Sequence, residues 1–174
     1  MTAMGRRVVA IALAVVVGCA VAAPERAAVP AGAAISVSGS GHAAAALGVD
    51  AVAALPATPL SVSFLTEHGP RKAAFAGPLL WTVLAKVGAI DPAKRRDQVA
   101  QFIVVTGSDG YRAVLALAEI APDFEGKPVI LADRMDGKPL GAGHLRIVVP
   151  NDKHGGRSVR DVVRIEVRAA PPSP

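Results

Sequence analysis

The segment Asp152–Arg160, DKHGGRSVR, sets Lys153, His154, Arg157 and Arg160 around Gly155 and Gly156, directly after the apolar run Leu145–Val149. Cations around a pair of glycines can hold an anion, through exposed backbone N–H groups and the bidentate fork of a guanidinium. An ordinary flexible hairpin loop has the same composition, so both readings stand on residues alone. A second cluster, Asp109-Gly110-Tyr111-Arg112, puts a carboxylate, a phenol and a guanidinium close together. Asp-Gly is first of all a turn signal, which already accounts for Asp109. Asp133-Arg134 follows an apolar run, and strand ends are a common place for sites.

The usual catalytic constellations are absent. His42, His68, His144 and His154 show no H-E-x-x-H pattern or other tight ligand spacing, and there is no G-x-S-x-G elbow. Cys19 is the one cysteine, so no internal disulfide can form. The body of the chain therefore carries no thiolate for metal binding or nucleophilic attack. No catalytic residue and no metal ligand is assigned.

The scaffold for these groups centres on Gln101–Ile120, QFIVVTGSDGYRAVLALAEI. Ile103, Val104 and Val105 precede a tight turn at Gly107–Gly110, and Val114, Leu115 and Leu117 continue the apolar character beyond it. That pattern predicts a hairpin running into a short helical turn. Pro78–Gly88 predicts the main helix, since Pro78 suits the first helical position and Gly88 a C-terminal cap. Leu80, Val83, Leu84 and Val87 fall on one face of it. Further strands are expected at Ile35–Gly39, Leu60–Phe64, Val129–Ala132, Leu145–Val149 and Val162–Val167, and a short helix at 49–55. Val129–Ala132 is continuously apolar, as in a strand buried on both faces. Thr66–Lys72 reads as a polar turn, Asp91–Gln98 as a charged connection and Pro122–Lys127 as a loop. Strands outnumber helices, so the class is α+β with a β-rich core.

A chain of 174 residues implies one domain with a core of useful size. Aromatics make up only 3%, so that core is aliphatic, with Trp81 as packing rather than a cofactor stack. The same scarcity argues against a nucleic-acid reader, which needs aromatic platforms beside its basic face. Formal net charge is +5, and loss of Arg6 and Arg7 would leave +3, weak ground for any polyanionic partner.

Those two arginines begin a targeting segment. They precede Val8–Val17, an apolar run with the length of a signal-peptide core and too short to span a bilayer. Ala20-Val21-Ala22 fits cleavage before Ala23, giving residues 1–22 as a signal peptide. Val16-Val17-Gly18-Cys19 resembles a bacterial lipobox, which would lipidate Cys19. Both routes export the protein to the periplasm, cell envelope or medium, and a membrane is a partner only in the second. Residues 23–34 read as a disordered linker, 35–168 as the domain and 169–174 as a disordered tail.

Taken in order, these pieces resemble the oxidoreductase molybdopterin-binding domain, the fold of sulfite-oxidase-type enzymes. The resemblance covers most of Ile35–Arg168. It rests on Gly77-Pro78-Leu79-Leu80 with Leu84 and Gly88, on Thr106–Tyr111 with Leu117–Ile120, and on Leu131-Ala132-Asp133 with Asp136–Leu140. Leu145–Pro150 and Gly156–Arg160 before Ile165-Glu166-Val167 complete it. It implies a mixed α+β domain holding a molybdenum–pyranopterin cofactor, the metal bound by a cysteine ahead of the main helix. The matching region, Phe64–Lys72, has no cysteine, and a soft thiolate is what such a site uses to hold molybdenum. The pterin-contacting segment of the family matches Gly156–Arg160 in part, which makes Arg157, Ser158 and Arg160 the candidate cofactor-binding residues. Arg160 stands there for the usual lysine, and Asp161 where a tryptophan is common.

The expectation is a non-catalytic binding or accessory module related to molybdopterin oxidoreductases, with molybdopterin as the cofactor the resemblance implies. Its partner would be a redox or envelope protein. Two alternatives stay open: an active molybdopterin-dependent oxidoreductase with a non-cysteine metal ligand, and a structural envelope protein that contacts a partner.

Overall fold

The computed structural model describes residues 34–39, 41, 43–66, 69–141 and 143–171. The expected signal peptide, Cys19, His42, His68 and most of the linker lie outside those residues. In chain order the elements are β1 (Ala34–Ser38), β2 (Ala45–Gly48), α1 (Val49–Ala53), β3 (Thr58–Thr66), β4 (Gly69–Gly77), α2 (Leu80–Lys86) and α3 (Arg95–Val99). There follow β5 (Gln101–Gly107), β6 (Arg112–Ala116), α4 (Leu117–Ile120), β7 (Ile130–Ala132), β8 (Arg134–Met135), β9 (Lys138–Pro139), β10 (Arg146–Val148) and β11 (Val162–Ala169). The class is α+β and β-rich, as the sequence predicts.

Among the described residues, three sheets carry the fold. Five strands run in the order β2-β1-β11-β5-β6, four in the order β3-β4-β8-β9, and β10 pairs with β7 alone. The predicted hairpin supplies β5 and β6, with Val104 opposite Val114. β6 is an edge strand whose outer face meets water, so Val114 is 54% exposed while Leu115 is buried. The β7–β10 pair forms the wall between two cores. Leu131 and Ile147 point into the larger one, with α2 and the five-stranded sheet; Ile130, Ala132 and Val148 join Val62 and Phe75 in the smaller one. This shared wall is why β7 is apolar at every position. Trp81 packs against the larger core, as expected of a filler.

Three segments differ from their sequence reading, each for a tertiary reason. Thr66–Lys72 is mostly strand rather than turn: β3 runs through Thr66 and β4 starts at Gly69, with Phe64 opposite Arg71, while Glu67 and His68 lie outside the described residues. At the projecting end of a hairpin most side chains meet water, so polarity there does not mark a loop. The main helix starts at Leu80 rather than Pro78, because Pro78 and Leu79 are drawn into β7. The Pro78 carbonyl accepts from Leu131 N–H at 2.9 Å, and Leu80 N–H donates to Val129 at 2.8 Å. The charged connection ends in α3, which buries Gln98 (2% exposed) with its Nε2 donating to the Pro92 carbonyl at 3.0 Å. The last strand also runs on to Ala169, paired with Gln101.

Candidate functional site

A cavity of about 380 Å³ lies between the β3–β4 hairpin and the segments that lead into β10 and β11. β4 contributes Arg71, Lys72 and Phe75; the β8–β9 turn contributes Asp136. The loop before β10 brings His144, β10 brings Arg146, and the connection into β11 brings Arg160 and Asp161. Phe64, Met135, Leu140 and Leu145 supply apolar wall. Small-molecule sites have this size and this mix of apolar lining with a few convergent polar groups.

The charges in the cavity are unevenly partnered. Asp136 Oδ1 accepts from Ala74 N–H at 2.9 Å, and Asp161 Oδ1 lies 2.6 Å from His144 Nδ1. Both carboxylates thus already have a hydrogen-bonding partner, whereas Arg71, Lys72, Arg146 and Arg160 make no ion pair among the described residues. Arg146 is the extreme case. Its guanidinium carbon sits 5.1 Å from the centre of the Phe75 ring, a cation–π arrangement, and its Nε is buried with no hydrogen-bond partner among the described residues. Burial holds its pKa below the usual arginine range; repulsion from Arg160 adds to this and Asp161 partly offsets it. A buried donor without an acceptor costs about 1–3 kcal/mol, more when charged, so the side chain carries a standing penalty at Nε.

Of the three predicted binding residues, only Arg160 faces this cavity. Arg157 is taken up in a clamp. Its Nε and Nη2 donate to the two Asp152 oxygens at 2.8 and 2.6 Å, and Nη1 donates to both Glu119 oxygens at 3.1 Å. Lys127 bonds Glu119 as well and lies 3.2 Å from Glu125. The network ties the Asp152–Arg157 loop to α4, leaving Arg157 little to offer a ligand. Ser158 Oγ lies 3.5 Å from Val149 N and does not line this cavity; with Arg160 it lines a separate one of about 240 Å³. The loop is pinned on a second side too, since Leu65 N–H donates to the Lys153 carbonyl at 3.0 Å, and Tyr111 Oη donates to the Gly156 carbonyl at 2.6 Å. These contacts tie the loop down on both sides, while Gly155 and Gly156 line a smaller cavity beside Asp109 and Tyr111. Asp109 Oδ1 caps its own turn, accepting from Tyr111 N–H at 2.9 Å, as the turn reading expects. Arg134 and Asp133 form a loose pair at 3.8 Å.

Sequence reasoning missed Arg71, Lys72, His144, Arg146 and Asp161. One signal was legible: Arg146 interrupts an otherwise apolar run, LRIVV, and a charge there has to be either exposed or functional.

Arg157→Ala should destabilise the domain by about 2 kcal/mol, because it strands the largely buried carboxylate of Asp152 and leaves Glu119 with Lys127 alone. Hydrogen bonding from Arg157 holds the Asp152 carboxyl below its ordinary pKa. Its contribution is therefore complete above about pH 4, the unfolded value, and is lost as pH falls through the lower folded value. Urea unfolding at several pH values should show a steep acid loss in the parent and a shallower one in the variant. Equal stability of the two proteins at pH 7 would show that the clamp contributes nothing.

The family model for the oxidoreductase molybdopterin-binding domain matches residues 63–174, from within β3 to the end of the chain. The chain belongs to that family. No curated protein sequence matches it. Among solved structures, its fold is similar to that of the sulfane dehydrogenase SoxCD from Paracoccus pantotrophus, with a TM-score of 0.61, 16% identity and coverage of 79% of this chain. The chain spans 39% of that protein's chain, and the likeness is one of fold.

A molybdopterin-binding domain raises the question of whether these residues fit the cofactor. The cationic cavity, with Arg146 stacked on Phe75 and apolar wall from Phe64, Met135 and Leu140, fits an anionic organic group. The metal fits poorly. Phe64–Lys72 contains no cysteine, and no group of three His, Cys, Asp or Glu among the described residues could hold a metal ion.

Proposed function

We propose that this molybdopterin-binding-domain protein is a non-catalytic binding module, which receives an anionic organic ligand in the Arg146–Arg160 cavity and does not hold molybdenum. The observation that carries the reading is a cavity lined by Arg71, Lys72, Arg146 and Arg160, four cations with no ion pair among the described residues, and by no cysteine. A cavity of this charge is complementary to phosphate, sulfate or carboxylate, which arginine grips in a fork. The pterin of the family's cofactor, carried without its metal, is one ligand of that kind. Arg6-Arg7 and the Val8–Val17 run support export, with lipid on Cys19 as the one membrane tie. An accessory role beside a redox or envelope protein is consistent with both.

Purification of the mature protein from its native host, followed by molybdenum and pterin assays, tests this. Molybdenum far below one per chain is expected, together with either a co-purifying organic anion or uptake of one on addition. Stoichiometric molybdenum would overturn the reading.

A further inference from the structure

Asp161 has a backbone conformation that few residues adopt, with φ at +46°. Asparagine and aspartate tolerate the left-handed region better than other residues with a side chain, yet it still costs free energy. The conformation is held on both sides: Ser108 N–H donates to the Asp161 carbonyl at 2.9 Å, and Val162 N–H donates to Leu145 at 3.0 Å. It places the carboxylate at the cavity, next in sequence to Arg160, where it meets His144 Nδ1 at 2.6 Å. The imidazole is positioned in turn by Gly141, at φ +112°, where an added Cβ would lie 3.2 Å from His144 Cδ2. Both partners are about half exposed, His144 at 57% and Asp161 at 49%, so protons reach the pair freely.

We infer that Asp161 is a built-in counter-anion that competes electrostatically with the ligand, and that protonation of His144 neutralises it and so sets the cavity's affinity for anions. This rests on the anion-binding reading above. The other charges facing the pair are Arg160 beside it, Arg146 from β10, Asp136 from the β8–β9 turn, and Arg71 and Lys72 from β4. Histidine is the side chain whose ordinary titration crosses pH 5–8. With imidazolium present the pair carries no net charge; with neutral imidazole it carries one negative charge against the incoming anion. Affinity therefore rises as pH falls. The cavity selects anions most strongly in mildly acidic surroundings.

Sulfate is a suitable probe because it stays a dianion across this range. By isothermal titration calorimetry at constant ionic strength, the parent should bind sulfate about fivefold more tightly at pH 5.5 than at pH 8, the effect of one unit charge a few ångströms away in a well-solvated site. His144→Gln should bind at the parent's pH 8 level at both pH values. Asp161→Asn, which keeps the tolerance for positive φ, should gain about fivefold at pH 8. Sulfate binding with no pH slope in the parent, a slope that survives His144→Gln, or no gain in Asp161→Asn would each overturn the inference and leave the anion cavity standing. Absence of sulfate binding to all three proteins at both pH values would overturn the cavity reading as well.

Discussion

Arg146→Met should lose anion binding by about ten- to a hundredfold while the unliganded domain stays as stable as the parent or becomes more stable. The two halves of that result come from one fact: the guanidinium is partly buried over Phe75 with Nε unpartnered, and Arg160 repels it. In the empty cavity this cation carries a desolvation cost that the ring contact and the Asp161 carboxylate offset only in part. Methionine keeps much of the apolar stem and its packing on Phe75, while removing the charge and the orphaned donor. Replacing buried charge by well-packed apolar atoms is often neutral or stabilising. A bound anion reverses the balance, since hydrogen bonds from a charged donor are worth about 1.5–3 kcal/mol each, hence the drop in affinity. Sulfate titration and thermal unfolding without ligand measure the two halves separately. Unchanged sulfate affinity would remove Arg146 from the site, and a large loss of unliganded stability would show that it is structural instead.

Gly77→Ala should cost about 3 kcal/mol or more, or prevent folding altogether. A Cβ at this position would lie 2.2 Å from the Leu131 carbonyl oxygen and 2.6 Å from Ala132 Cα. Both are backbone atoms of β7, so no side-chain rotation relieves the clash; β4 and β7 have to separate. Their separation breaks a chain of short bonds: Ala76 carbonyl to Asp133 N–H at 3.1 Å, Pro78 carbonyl to Leu131 N–H, and Val129 carbonyl to Leu80 N–H. It also opens the wall between the two cores, where Ile130, Leu131 and Ala132 are fully buried. Overpacking a core costs about 1–3 kcal/mol, and a main-chain clash falls at or beyond the top of that range. For a domain of this size a 3 kcal/mol loss lowers the melting temperature by roughly 10 °C. Thermal or urea unfolding checks it, and a variant within 2 °C of the parent would mean that the two strands are not packed as described. The fold is thus organised so that the start of α2, the end of β4 and β7 fail together.

Much of the scaffold was legible one segment at a time. The strand, Asp-Gly turn and strand of Gln101–Ala116 depend on alternation and on turn chemistry, both properties of neighbours in sequence. So does the apolar face of α2, with Leu80, Val83 and Leu84 buried as their spacing requires. The family resemblance was legible because it is a matter of motif order along the chain.

The candidate site was legible only in part, because its charges come from several separate segments whose meeting is set by strand register. Nothing local distinguishes Arg71 and Lys72, facing the cavity from β4, from a solvated turn. Arg157 shows the converse. Its neighbours made it a candidate ligand, but Glu119, 38 residues earlier in the chain, and Asp152 occupy its donors before any ligand can. Arg160, three residues on, looked no different in sequence and faces the cavity. A side chain's chemical type is written in the chain; whether its hydrogen-bonding capacity is spent within the fold or left over for a ligand depends on long-range packing, and packing is what separated Arg157 from Arg146.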